Sequence, residues 1–153
     1  MSVITERHTF GWAQEERLLP FFNKYLDDDL KRTTDRFAHQ DCISERFLVE
    51  AKSRPATRWD RFNRRQVPVN SKSYPEGWLM PYCKTQNLPD NKRLFFFYYY
   101  EGDDTLWVCP YDKQKFSELN AYYPPFNPNQ LHILIPVEWW SQVDCYKEEQ
   151  KCE

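Results

Sequence analysis

Phe47-Leu48-Val49-Glu50-Ala51-Lys52 is the stretch on which the fold turns. Strand side chains alternate between faces, so Phe47, Val49 and Ala51 line one face and Leu48, Glu50 and Lys52 the other. An acid and a base two residues apart on one strand face, flanked by apolar neighbours, are poorly explained as solvated charges. Just upstream, residues 30–37 and 42–44 read as short extended pieces joined by the turn-like Ala38-His39-Gln40-Asp41. The stretch therefore reads as a strand that follows short extended pieces and a turn carrying an aspartate.

Further upstream, residues 11–26 read as a helix. Trp12, Leu18, Leu19, Phe22, Tyr25 and Leu26 fall on one side, and Pro20 should kink or interrupt it. Glu15 lies at about 300° from Trp12, between Leu19 and Phe22 and near the centre of the apolar stripe, while Glu16 lies at its edge. A carboxylate aimed at a core is costly unless it is paired, protonated or metal-bound. The bland alternative is a helix end at which Glu15 escapes to water.

Downstream, residues 46–72 hold Arg46, Lys52, Arg54, Arg58, Arg61, Arg64, Arg65 and Lys72 against Glu50 and Asp60, a net of +6. The whole chain has a formal net charge of -2, so everything else carries -8. A basic block in an otherwise acidic chain suggests a localised anion-binding face, and phosphodiester backbones are the commonest large polyanion. The competing reading is a solvated loop with clustered charges. Trp59 and Phe62 interleave with the arginines, either to stack on bases or to anchor the segment to the core.

Ser73-Tyr74-Pro75-Glu76 has capping-box spacing and predicts a helix running toward Gln86, made imperfect by Pro81. Six successive aromatics, Phe95 to Tyr100, predict a strand buried on both faces. Glu101-Gly102-Asp103-Asp104 is a turn and 105–109 the return strand of a hairpin. Asp112 is placed to cap a helix over 113–122, ended by Pro124-Pro125, and 131–137 is another short strand. The polar, net acidic stretch after Ser141 reads as a frayed tail. No repeat or internal boundary is visible. We expect a single domain over 1–153, with a core of about 11–137 and a flexible tail at 141–153.

Composition removes several function classes. Three glycines in 153 residues leave no phosphate-cradling glycine loop. Cysteines at 42, 83, 109, 145 and 152 form no CxxC and suggest neither a disulfide framework nor structural zinc. His8, His39 and His132 are dispersed, and nothing local supports a nucleophilic triad. No apolar run approaches a bilayer span, and the first residues lack a signal peptide's apolar stretch. The expected setting is intracellular, cytoplasmic or, for a viral or phage protein, inside the host cell.

Asp41 followed by Glu50-Ala51-Lys52 resembles the signature of the PD-(D/E)XK nuclease superfamily, an Asp and then (Asp/Glu)-x-Lys on the next strand. The resemblance covers roughly 11–100. Phe37-Ala38-His39-Gln40-Asp41 through Phe47-Leu48-Val49-Glu50-Ala51-Lys52-Ser53-Arg54 is similar to that family's core hairpin. Gln40 stands where a Pro often precedes the Asp, and the turn between the two strands lacks Gly.

The resemblance implies an α/β fold: a three-layer α/β/α sandwich with a central mixed sheet and a restriction-endonuclease-like αβββαβ core. It implies a DNA-hydrolysing nuclease that uses Mg2+ or Mn2+. Asp41, Glu50 and the Ala51 carbonyl would hold the metal, joined by Glu15 or, failing that, Glu16. Lys52 would orient or deprotonate the attacking water or stabilise negative charge. Arg54, Arg58, Arg61, Arg64, Arg65 and Lys72 would grip nucleic acid, with Gln86 a further candidate for substrate contact. A homodimer is expected of such enzymes when they cut both strands; a membrane is not a partner. Two other readings remain open: a nuclease-like module that binds nucleic acid or protein without cutting, and an aromatic-rich interaction protein whose acid–lysine pair is an ordinary surface feature.

Overall fold

The computed structural model describes residues 6–33 and 40–151. The chain runs through helix α1 (Glu6–Leu26) and strands β1 (Lys31–Arg32), β2 (Cys42–Ile43), β3 (Phe47–Arg54), β4 (Thr57–Asp60), β5 (Arg65–Pro68) and β6 (Trp78–Pro81). A 3₁₀ turn (Tyr82–Thr85) leads to β7 (Arg93–Tyr100), β8 (Thr105–Pro110), helix α2 (Lys113–Ser117) and β9 (His132–Ile135). A second 3₁₀ turn (Val137–Trp139), β10 (Ser141–Gln142) and helix α3 (Asp144–Lys151) follow.

Six strands form a mixed central sheet in the order β1-β2-β3-β7-β8-β10. All its neighbours are antiparallel except β3 and β7, which run parallel with Glu50 opposite Phe96 and Lys52 opposite Tyr98. This parallel pair at the centre explains the aromatic run. Phe95, Phe97 and Tyr99 bury one face of β7, while Phe96, Tyr98 and Tyr100 bury the other. Each such ring contributes on the order of 1.5–3 kcal/mol by leaving water.

Each face of the sheet has its own cover. Leu18 and Phe22 of α1 and Tyr146 of α3 pack on Val49, Phe97 and Val108. On the opposite face, the antiparallel β6–β9 pair and Phe116 of α2 pack on Leu48, Phe96 and Tyr98. The chain is thus a mixed α/β fold with few helices. No described helix is long and apolar enough to cross a membrane.

Several elements differ from the sequence expectation. Helix α1 begins earlier and continues through Pro20. Its buried stripe is narrow, because Trp12 and Tyr25 are 50% and 43% exposed. It ends at Asp27, whose φ of 51° takes the left-handed conformation that terminates helices. No α-helix forms over 74–86, where the only helical piece is the 3₁₀ turn Tyr82–Thr85. Ser73 Oγ accepts the Asn70 N–H at 2.9 Å instead of capping a helix, and Gly77 turns at φ 150°. Trp78 and Met80 then alternate as buried strand residues. Asp112 does cap α2, accepting the Lys115 N–H at 3.0 Å, but that helix stops at Ser117. Residues 141–147 are not frayed, since Val143, between β10 and α3, and Tyr146 of α3 are buried in the core. Apolar residues at 143 and 146 were enough to dock a segment whose average composition is polar. The extended piece expected over 30–37 and the turn residues Ala38 and His39 fall partly outside the described residues.

Candidate active site

Strand β3 fixes the centre of the site. Phe47, Val49 and Ala51 face α1, so alternation sends Glu50 and Lys52 to the face covered by β6, β9 and the Tyr82–Thr85 turn. Glu50 is only 3% exposed. Its Oε2 lies 3.5 Å from Lys84 Nζ, yet finds no hydrogen-bond partner.

Asp41 sits just before β2. Its N–H donates to the Val49 carbonyl at 2.9 Å, and its Oδ2 accepts the Ala51 N–H at 2.8 Å. These two bonds clamp Asp41 to the β3 edge. In extended backbone a residue's N–H and C=O share one edge, so the Ala51 carbonyl faces the Asp41 side.

Glu15 reaches the cluster from α1. Burial pushes its pKa from the usual 4.5 up to about 7, helped by the charge of Asp41 and opposed by Arg32, whose Nη2 is 3.4 Å from Glu15 Oε2. Burial also raises Glu50, again with Asp41 adding to it and Lys84 and Lys52 opposing. Lys52 moves the other way, because burial disfavours its ammonium more than Glu50 favours it, and Arg54 adds repulsion. The buried thiol of Cys42 is pushed up to about 12, first by burial and then by the charges of Asp41 and Glu15. Asp41 is therefore the shared neighbour of acids arriving from two sides of the sheet.

A divalent ion suits part of this arrangement. The orphaned Glu50 oxygen and the adjacent Asp41 carboxylate are hard donors of the kind Mg2+ takes, and the Ala51 carbonyl lies along the same edge. Among the described residues, however, no group of three or more His, Cys, Asp or Glu side chains is placed to hold a metal. The donor set that fits is thus two carboxylates and a carbonyl, with water filling the remaining positions. Glu15 is engaged by Arg32, and Glu16 is exposed, which removes it as the alternative.

The expected nucleic-acid residues divide into two kinds. Arg54 is half-buried, donates through Nε to Tyr98 Oη at 3.1 Å and lies 5.7 Å from that ring's centre. Arg58, Arg61, Arg64, Arg65 and Lys72 are exposed, the first four on the β4–β5 hairpin. Trp59 and Phe62 do not anchor this segment to the core, being 55% and 99% exposed. Gln86 donates to Thr85 Oγ1 at 2.9 Å.

Sequence reasoning missed the counter-ions. Lys84 lies in a turn where a helix was expected, and Arg32 lies on β1, opposite Cys42. Gln40 was noted only for the Pro it replaces. It is buried, and its Nε2 donates to the Lys84 carbonyl at 3.4 Å, fastening the Lys84 turn beside Asp41.

Comparison with protein-family models, curated proteins and solved structures gives no match to this chain.

Proposed function

We propose that this chain is a metal-dependent nuclease of the PD-(D/E)XK kind that hydrolyses phosphodiester bonds of DNA. One observation carries the reading: Asp41, just before β2, accepts the Ala51 N–H at 2.8 Å, between Glu50 and Lys52 on β3, and its charge acts on Glu50 and on Glu15 of α1 alike.

The order of elements supports it. Helix α1 is followed by the antiparallel meander β1-β2-β3, and β7 returns parallel to β3. The finer architecture, a three-layer α/β/α sandwich with a restriction-endonuclease-like core, belongs to the proposal as well. It departs from the family pattern in two respects: the β3-to-β7 connection carries strands and a 3₁₀ turn, with no α-helix among its elements, and the face opposite α1 is covered by the β6–β9 pair and the short α2.

Asp41, Glu50 and the Ala51 carbonyl would hold Mg2+ or Mn2+. The ion would supply Lewis-acid charge compensation and acidify a water. Lys52, its pKa lowered by burial, would hold the attacking water or take its proton, and as an ammonium it would counter charge growing on the phosphate. Glu15 would position the same water. Burial and the Asp41 charge hold the Glu50 pKa above its ordinary value, and a bound cation would act against that shift.

A second reading, binding without cutting, has its own observation. Lys84 and Arg32 already stand as counter-ions to Glu50 and Glu15 at 3.5 and 3.4 Å, as they would in a site that had exchanged its metal for side-chain cations. Supercoiled plasmid incubated with Mg2+ or Mn2+ separates the two. Nicking by the wild type that is lost in a Glu50→Ala, Lys52→Ala double variant supports the first. Salt-sensitive binding with no cutting supports the second.

A further inference from the structure

The β4–β5 hairpin plays no part in the central sheet. It is a separate two-stranded ribbon, with Thr57–Asp60 paired antiparallel to Arg65–Pro68, and every residue of its loop is exposed. A lone hairpin of this size is marginal in water, so its retention needs a brace and a use.

The brace is visible at its base. The Val69 N–H donates to the Ala56 carbonyl at 2.8 Å, and the Ala56 N–H donates to Glu101 Oε1 at 3.0 Å. Gly102 lets the two chains touch, since a Cβ there would meet the Val69 carbonyl oxygen at 1.9 Å. The hairpin is thus pinned to the β7–β8 turn. It also starts five residues beyond Lys52, which fixes its base within about 17 Å of the acid cluster by chain length alone.

The tip is built rather than loose. Asp60 Oδ1 accepts the Phe62 and Asn63 N–H groups at 2.9 and 3.4 Å, and Oδ2 accepts Asn63 Nδ2 at 2.8 Å. The one acid of the ribbon is thereby spent on its own turn. Arg61, Arg64 and Arg65 have no side-chain hydrogen bond or ion pair among the described residues. Between them Phe62 stands 99% exposed, with Trp59 at 55% on the adjoining strand. Exposed at the tip, on a hairpin that also exposes Arg61, Arg64 and Arg65, a phenyl ring is matched to a polyanion that offers flat apolar surfaces between its charges. Nucleic acid has that chemistry: phosphates for the guanidinium groups and bases for an aromatic ring.

We infer that the β4–β5 hairpin is a DNA-gripping arm whose arginines hold phosphates while Phe62 wedges between bases at a step that is already weakened, such as a mismatch or a gap. The inference rests on the nuclease-like reading for its choice of DNA. The preference for a weakened step follows from cost. Unstacking an intact step takes about as much free energy as burying one phenyl ring returns, so a single wedge is neutral on perfect duplex and favourable where stacking is already lost.

The experiment measures binding in EDTA, so that cutting cannot intervene. Three fluorescent duplexes of one length are compared: fully matched, centrally mismatched and centrally gapped, each with 2-aminopurine at the central step. The full-length wild type should favour the gapped duplex by about 10-fold or more and brighten its 2-aminopurine. Phe62→Ala should lose that preference and the brightening, while binding matched duplex as before. Arg61→Gln, Arg64→Gln and Arg65→Gln together should weaken binding to all three and reduce the slope of log K against log salt by up to about 3. Equal binding of all three duplexes by the wild type, or an unaltered preference in Phe62→Ala, overturns the wedge. Absence of DNA binding by a wild type that instead holds a protein partner overturns the arm. Glu50→Gln keeps the tests apart: it should leave every binding result intact while removing cleavage in Mg2+. A wild type that binds as stated but never cuts sinks the nuclease reading alone, and one that cuts with Phe62 silent sinks the wedge alone.

Discussion

Replacing Glu15 by glutamine should make the metal-free protein more stable at pH 8, even though it deletes the ion pair with Arg32. The reasoning starts from the raised pKa of Glu15, about 7 against the ordinary 4.5. An acid whose folded pKa is raised contributes its full stability below 4.5 and loses it as pH climbs to about 7, because the unfolded chain releases the proton first. The difference has a ceiling of roughly 3 kcal/mol. Its side chain keeps 16% exposure, so water shares in the screening and the expected value is roughly 1–3 kcal/mol. Glutamine resembles the neutral acid and cannot ionise. Urea unfolding of wild type and Glu15→Gln at pH 5, 6, 7 and 8 should therefore give similar stabilities at pH 5 and a gap opening in the variant's favour by pH 8. Excess Mg2+ at pH 8 should narrow the gap, since a cation beside Asp41 favours the ionised form. A variant equal to or weaker than wild type at pH 8 would refute the reasoning, because Arg32 would then outweigh both burial and the Asp41 charge.

Other substitutions probe the remaining supports. Lys84→Met removes the nearest cation from the buried Glu50 carboxylate and should cost roughly 2–4 kcal/mol at pH 8 and less at pH 5, read by urea unfolding at both. Phe97→Ala, at a fully buried ring whose centre lies 4.3 Å from that of Phe22 at a 33° tilt beneath α1, should lose roughly 3–5 kcal/mol of stability; a loss below about 1 would mean the α1 face of the sheet packs loosely. Gly102→Ala should cost roughly 2 kcal/mol or more by forcing Val69 away, and limited proteolysis should then find the β4–β5 hairpin before any other segment.

How much of this was legible in the sequence depends on how local each cause is. Alternation within residues 47–52 set Glu50 and Lys52 on one strand face, and the unbroken aromatic run identified a strand buried on both faces, because both signals are written in consecutive residues. Glu15 was legible through helical angle, falling in line with Leu18 and Phe22. What failed was decided by long-range partners. Residues 78–81 pair with 132–135 across some fifty positions, and that pairing overrode the capping signal at Ser73. The counter-ions of the acids, Arg32 and Lys84, are brought in by β1 and by a turn whose docking no local pattern announces. The tail after Ser141 was misjudged because average polarity hid Val143 and Tyr146, the two residues that hold it down.

The central claim is that Asp41, Glu50 and Lys52 form a working hydrolytic centre. Its most direct test is cleavage of supercoiled plasmid by purified wild type in Mg2+ or Mn2+, alongside Glu50→Gln and Lys52→Met prepared identically. Nicked product from wild type alone, abolished by EDTA, is the expected result; intact plasmid with either ion, or equal nicking by the variants, would contradict it.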